Sequence, residues 1–202
     1  KLLAMVLALV MTLSLAVSAN AAFKDDKSIS DDYAEAVAVL NGMDVFKGYE
    51  DGSFKPANTL TRGAAAKIIC NLLLTPSIAD TLPADKTGFK DVPSTNTFAK
   101  YIAYCANAKI INGYSDGTFK PDQNITRAEA MTLINRVLER KPESPADLLT
   151  NMNKWTDNMD TSKWYYLDVQ EATNSHGYTR KTFNYELWRQ MLPDPDWSRY
   201  ER

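Results

Sequence analysis

The chain has 202 residues and a formal net charge of −2, which excludes the strongly basic footprint that nucleic-acid binding needs. His176 is the single histidine, so a histidine-based metal site or a serine triad has too few parts. The two cysteines, Cys70 and Cys105, have no nearby histidine to activate either thiol.

At the amino terminus, Lys1 precedes an uncharged run from Leu2 to Val17, followed by Ser18-Ala19-Asn20-Ala21-Ala22. A basic start, an apolar stretch and a small-x-small site are the parts of a secretory signal peptide. The run is shorter than the roughly 20 residues of a membrane span. The expectation is a leader over residues 1–21, a mature start at Ala22 or Phe23, and an exported protein with no stable membrane span after cleavage.

Phe23-Lys24-Asp25-Asp26 then opens a first unit, residues 23–75. A helix is expected from Asp31 to Met43, with Tyr33, Ala36, Val37 and Leu40 as its apolar stripe. Gly48-Tyr49-Glu50-Asp51-Gly52-Ser53-Phe54-Lys55-Pro56 forms an ordered loop. Its Asp-Gly pair marks a turn, and Gly48 suits positive φ. Thr61 caps a second helix that buries Ile68, Ile69, Leu72 and Leu73. Gly63 costs that helix about 1 kcal/mol of propensity and predicts a loose start.

Thr75 to Gly88 reads as a linker, with Pro76 and Pro83. The second unit, residues 88–140, repeats the first. Phe89-Lys90-Asp91 opens it, a helix is expected over Thr97 to Ala108, and Gly113-Tyr114-Ser115-Asp116-Gly117-Thr118-Phe119-Lys120-Pro121 echoes the loop 65 positions on. Gly113 is again placed at positive φ. Thr126-Arg127-Ala128-Glu129 is a capping box before a helix burying Leu133, Ile134, Val137 and Leu138. In this alignment Cys105 falls opposite the core position Leu40, so two buried thiols are expected.

After a second linker, Lys141 to Pro145, residues 150–202 read as a degenerate third unit. Trp155-Thr156-Asp157 stands for the opening, and Trp164 to Ala172 for the first helix. The Asp-Gly loop is missing, and Tyr185 to Met191 is expected to be the second helix. His176 is assigned to a loop or groove.

The repeated Gly-Tyr-x-Asp-Gly-x-Phe-Lys-Pro loop with its Thr-Arg helix start resembles the S-layer homology repeats of bacterial exoproteins. That resemblance implies a mostly α fold, with three helix-loop-helix repeats in a pseudo-threefold arrangement. It also implies non-covalent cell-wall anchoring, at the surface of a Gram-positive bacterium, on an anionic secondary cell-wall polysaccharide that often carries pyruvyl ketals. Carried over by motif, the ligand-binding roles fall on Asp91, Phe98, Gly113 and Arg127, and on Asp25, Tyr33, Gly48 and Arg62, with Trp164 as an aromatic from the third unit. Arg127 is the leading candidate, because a guanidinium at a helix amino terminus opposes the helix dipole yet suits an anion. The structural alternative pairs each arginine with Asp51 or Asp116. No cofactor or reaction is implied. A role in S-layer or envelope assembly, with other envelope proteins as partners, is the first rival. A wall hydrolase using carboxylates of the Asp157–Asp168 stretch is the second.

Overall fold

The computed structural model describes residues 23–84, 87–182 and 185–193; the expected leader lies outside them. Helix α1 spans Asp31–Gly42 and α2 Arg62–Leu74. A short α3, Pro76–Ala79, follows, then α4 at Ala99–Asn107, α5 at Arg127–Leu138 and α6 at Tyr166–Thr173. Strands β1, His176–Thr182, and β2, Tyr185–Met191, pair antiparallel at the end. Among the described residues no helix is long and apolar enough to cross a membrane.

The first two units share one loop construction. The opening aspartate reaches forward about thirty residues and clasps the loop by its backbone. Asp25 accepts from the N–H groups of Phe54 (2.8 Å) and Lys55 (2.7 Å). Asp91 accepts from Phe119 (2.8 Å) and Lys120 (2.7 Å). These bonds hold both carboxyls below the usual carboxylate range; for Asp91 they outweigh burial, which pushes the other way. Asp51 and Asp116 accept from the N–H groups of Ser53 (3.0 Å) and Thr118 (2.9 Å), the side-chain turn that aspartate favours. Neither pairs with Arg62 or Arg127. Gly48 has φ +73°, as expected, but Gly113 does not need positive φ. Its constraint is space, since an added Cβ would sit 2.3 Å from the Phe89 ring.

Between units, each second helix packs on the next first helix, α2 on α4 and α5 on α6. The main core lies at the first of these junctions. It gathers Ala66, Ile69 and Cys70 with Val92, Ile102, Cys105 and Phe119, and takes in Ala79 of α3, so the first linker is partly packed.

The buried faces of the second helices differ from the expected ones. Leu72, Ile134 and Leu138 are exposed, while Asn71 and Asn135 are buried. Each inward asparagine finds a carbonyl for its amide nitrogen, while Asn71 Oδ1 has no partner among the described residues. Asn71 Nδ2 donates to the Val45 carbonyl at 2.8 Å, and Asn135 Nδ2 to the Asp168 carbonyl at 2.9 Å. On α1 only Val37 is buried. Tyr33, placed in the apolar stripe by its spacing, is 65% exposed.

The third segment departs most. Its first helix forms as α6, but Tyr185–Met191 is a strand and not a second helix. Only Tyr185 and Trp188 favour a pleated surface by type; the strand is set by its pairing with β1 and by burial of Glu186 and Trp188, its inward positions. The second linker supports the hairpin: the Glu186 N–H donates to the Lys141 carbonyl at 2.9 Å, and Pro142 bridges to Glu186.

His176 is not a loop residue, although it lines a groove with Arg140, Glu171 and Asn174, as the alternative expected. It begins β1, is buried, and stacks on Trp188 with ring centroids 3.9 Å apart. Its Nδ1 lies 2.7 Å from the Asn174 carbonyl, and its Nε2 lies 3.4 Å from Glu171 and 3.6 Å from Glu186. Arg140 pairs with both carboxylates, Trp188 Nε1 donates to Glu171, and Arg180 approaches Glu186. Burial works against the charged imidazolium, but Glu171 and the Asn174 carbonyl outweigh it and the His176 pKa is raised. A raised pKa stabilises the fold below the unfolded value, about 6.5, and that contribution is lost as pH rises through the folded value. Melting temperature should therefore fall as pH goes from about 6 to 8. His176→Gln should flatten that slope, and a parental slope in the variant would assign the pH dependence elsewhere.

Candidate functional site

The Thr-Arg helix starts occupy different surroundings in the two units. In α2, Thr61 caps through its hydroxyl, which accepts from the Ala64 N–H at 3.3 Å. The next orphan donors find carbonyls of the second loop: Arg62 N–H bonds Gln123, and Gly63 N–H bonds Pro121, each at 2.8 Å. Thr61 and Asn124 add an antiparallel bridge. This start is thus tied down by its neighbour, not loose as Gly63 suggested. Gly63 serves the same junction, because an added Cβ would fall 2.5 Å from the Phe98 ring.

Arg62 is buried there. Nε donates to the Phe119 carbonyl at 2.8 Å, Nη2 to the Asn112 carbonyl at 3.2 Å, and Nη1 pairs with Glu129. Its guanidinium carbon also lies 4.9 Å from the Tyr114 ring centroid and 4.6 Å from that of Phe119. Five donors in a rigid fork suit such a crowded seat. Arg62 is a brace between units whose partner is Glu129, not a loop aspartate.

In α5 the capping box is complete. The Thr126 N–H donates to Glu129 Oε2 at 2.9 Å, and the Glu129 N–H to the Thr126 hydroxyl at 3.2 Å. Glu129 therefore serves the cap with one oxygen and Arg62 with the other. Arg127 is exposed and makes no hydrogen bond or ion pair among the described residues. The third segment lacks the loop that would supply carbonyls here as the second loop does for Arg62.

Two grooves result. The first, about 440 Å³, is lined by Arg62, Gly113, Tyr114, Arg136, Lys141 and Trp164. It joins elements of all three segments, and the Thr132 hydroxyl on its wall is buried without a partner among the described residues. The second, about 680 Å³, is lined by Arg127, Met131, Trp155, Asp157, Asn158 and Tyr165. Trp155 is partly exposed, its Nε1 donating to Thr173 at 2.7 Å. Asn158 is buried, and its Oδ1 has no partner among the described residues.

Of the residues assigned by motif, Arg62, Gly113 and Trp164 come together in the first groove, while Arg127 stands in the second. Asp25, Gly48 and Asp91 sit in the loop construction of their own units, Phe98 packs beneath Gly63, and Tyr33 lies on the open face of α1. Tyr165 was not assigned a ligand role by sequence, and sugar stacking by Trp155 ranked below core packing as the commoner use of tryptophan. For Trp155 the signal was its match to the opening aromatic Phe89; the same offset sets Trp164, not Tyr165, opposite Phe98, so Tyr165 had none.

For a metal, Glu171, His176 and Glu186 bring ligand atoms within 4.8 Å of one another. Arg140 Nη2 stands among them, at 3.0 Å from Glu171, 3.1 Å from His176 and 3.4 Å from Glu186. The guanidinium holds the place a cation would take. For hydrolysis, Asp157 and Asp168 line different grooves, so they do not flank a common bond as paired carboxylates must.

Residues 22–66 and 88–131 match the family profile described as S-layer homology domain. A cellulosome-anchoring protein of Acetivibrio thermocellus is 35% identical over 156 residues, covering 77% of this chain and 33% of that protein. Cell surface glycoprotein 1 of the same organism is 31% identical over 151 residues, 72% of this chain and 6% of the glycoprotein. A surface layer protein of Brevibacillus choshinensis is 32% identical over 108 residues, 54% of this chain and 10% of its own length. The chain thus spans a third or less of these relatives. No solved structure matches it.

Proposed function

Because the chain belongs to the S-layer homology family and is located at the wall of a Gram-positive cell surface, we propose that it anchors there non-covalently by binding an anionic secondary cell-wall polysaccharide. The observation that carries this reading is Arg127. An exposed guanidinium without a partner among the described residues, at a capped helix start, lies beside Trp155 and Tyr165 in one groove. Aromatic faces take the apolar side of a sugar ring, and the guanidinium, with the helix dipole behind it, takes a carboxylate or pyruvyl group. Asn158 Oδ1 adds an acceptor for a sugar hydroxyl. The role is binding and not catalysis.

The first groove is the second subsite, with Trp164 and Lys141 offered to the ligand while Arg62 shapes the wall. Asp25, Gly48, Asp91, Phe98 and Tyr33 act indirectly, by building the loops and junctions that set the grooves. Residues 150–202 stand as the degenerate third unit of a pseudo-threefold set. The support is that α5 meets α6 as α2 meets α4.

Intrinsic fluorescence tests the groove. Titrating soluble wall polymer into the full chain should give a saturable change in tryptophan emission, and Trp155→Phe should remove most of it. A parental titration curve from Trp155→Phe would move the site away from Arg127.

A further inference from the structure

The chain has two cysteines, at different positions of the repeat, and they meet. A shift of 65 residues sets Cys70 opposite Asn135 and Cys105 opposite Leu40. At the α5–α6 junction the Asn135 amide donates to the Asp168 carbonyl of the next unit at 2.9 Å. At the α2–α4 junction Cys70 holds that place. Its Sγ is 3.6 Å from the Tyr101 carbonyl and 3.5 Å from Cys105 Sγ. Cys105 Sγ is in turn 3.7 Å from the Ala66 carbonyl. Both side chains are fully buried in the main core. A thiol is a weak donor, so the first junction has given up a full amide hydrogen bond. What it holds instead is a pair that is weak as thiols and strong as a covalent link.

We propose that Cys70 and Cys105 form a disulfide that joins the first unit to the second, made while the chain folds. One thiolate attacks a small disulfide such as oxidised glutathione and releases one glutathione thiol. The other cysteine then attacks the mixed disulfide and releases the second. Two S–H bonds are lost, one S–S bond is gained, and the oxidant leaves as two thiols. The timing follows from burial. Once α2 docks on α4, the Cys70 thiol and the apolar surroundings push the Cys105 thiol far above its ordinary value, and the thiolate that must attack is no longer populated. The same burial shields the finished bond. The link closes a segment of 35 positions and restrains the unfolded chain.

The test uses the full chain, reduced and unfolded, then refolded in a glutathione redox mixture or in a phosphine reductant. Each product is alkylated in denaturant and weighed. The oxidised arm should carry no alkyl group, remain monomeric without reductant, keep the circular dichroism of the reduced arm and melt several degrees higher. Cys105→Ala should melt alike in both arms. Oxidant added to the folded, reduced protein should leave two alkylatable thiols for hours. Two alkyl groups in both refolded arms overturn the proposal. So does an intermolecular disulfide, or a disulfide formed only with loss of the native spectrum.

Discussion

Arg62→Ala should unfold the chain far more readily than any other single truncation at the helix starts. It removes bonds to the Phe119 and Asn112 carbonyls and leaves Glu129 without its cation. Breaking a buried ion pair by deleting one partner costs about 3–5 kcal/mol, roughly a 10 °C fall in melting temperature for a chain of this size. Arg62→Lys should recover little, because an ammonium cannot reach two carbonyls, a carboxylate and two ring faces at once. A double-mutant cycle with Glu129→Ala should return a coupling of about 1 kcal/mol or more. Melting of Arg62→Ala within about 2 °C of the parent would show that the junction does not depend on this brace.

Arg127→Ala should give the opposite result, weak binding in a stable protein. The side chain has no partner among the described residues to lose, and its charge opposes the dipole of α5, so stability should stay level or rise by about 0.3–1 kcal/mol. Losing a charge-assisted contact to an anionic sugar substituent costs about 1.5–3 kcal/mol, roughly ten- to a hundredfold in affinity. Arg127→Lys should recover part of that, since an ammonium cannot make the bidentate contact. The measurements are an isotherm on purified wall polymer and a thermal melt for each variant. Normal binding with a much lower melt would make Arg127 a second brace.

Much of the first two units was legible because local chemistry decided it. Thr126 and Glu129 announce a capping box that forms as written, and the Asp-Gly turns of the loops stand where they were read. The roles of the arginines were not legible. Arg62 and Arg127 occupy the same motif position, and only the presence of a following loop beside one and its absence beside the other separates them. Gly63 reads as a helix weakness until the Phe98 ring is seen packed against it. The buried faces of α2 and α5 were misjudged because Asn71 and Asn135 are inward, and periodicity scores polar residues as exposed. The hairpin escaped for a related reason. Its buried positions include Glu186, satisfied by Arg140, so no alternation of apolar residues marks β2.

Co-sedimentation with sacculi tests the anchoring role most directly. The full chain should pellet saturably with intact sacculi and stay in the supernatant with sacculi stripped of accessory polysaccharide. Free polymer should release it from the first. Equal pelleting with intact and stripped walls would contradict the account, since the chain would then bind the peptidoglycan itself.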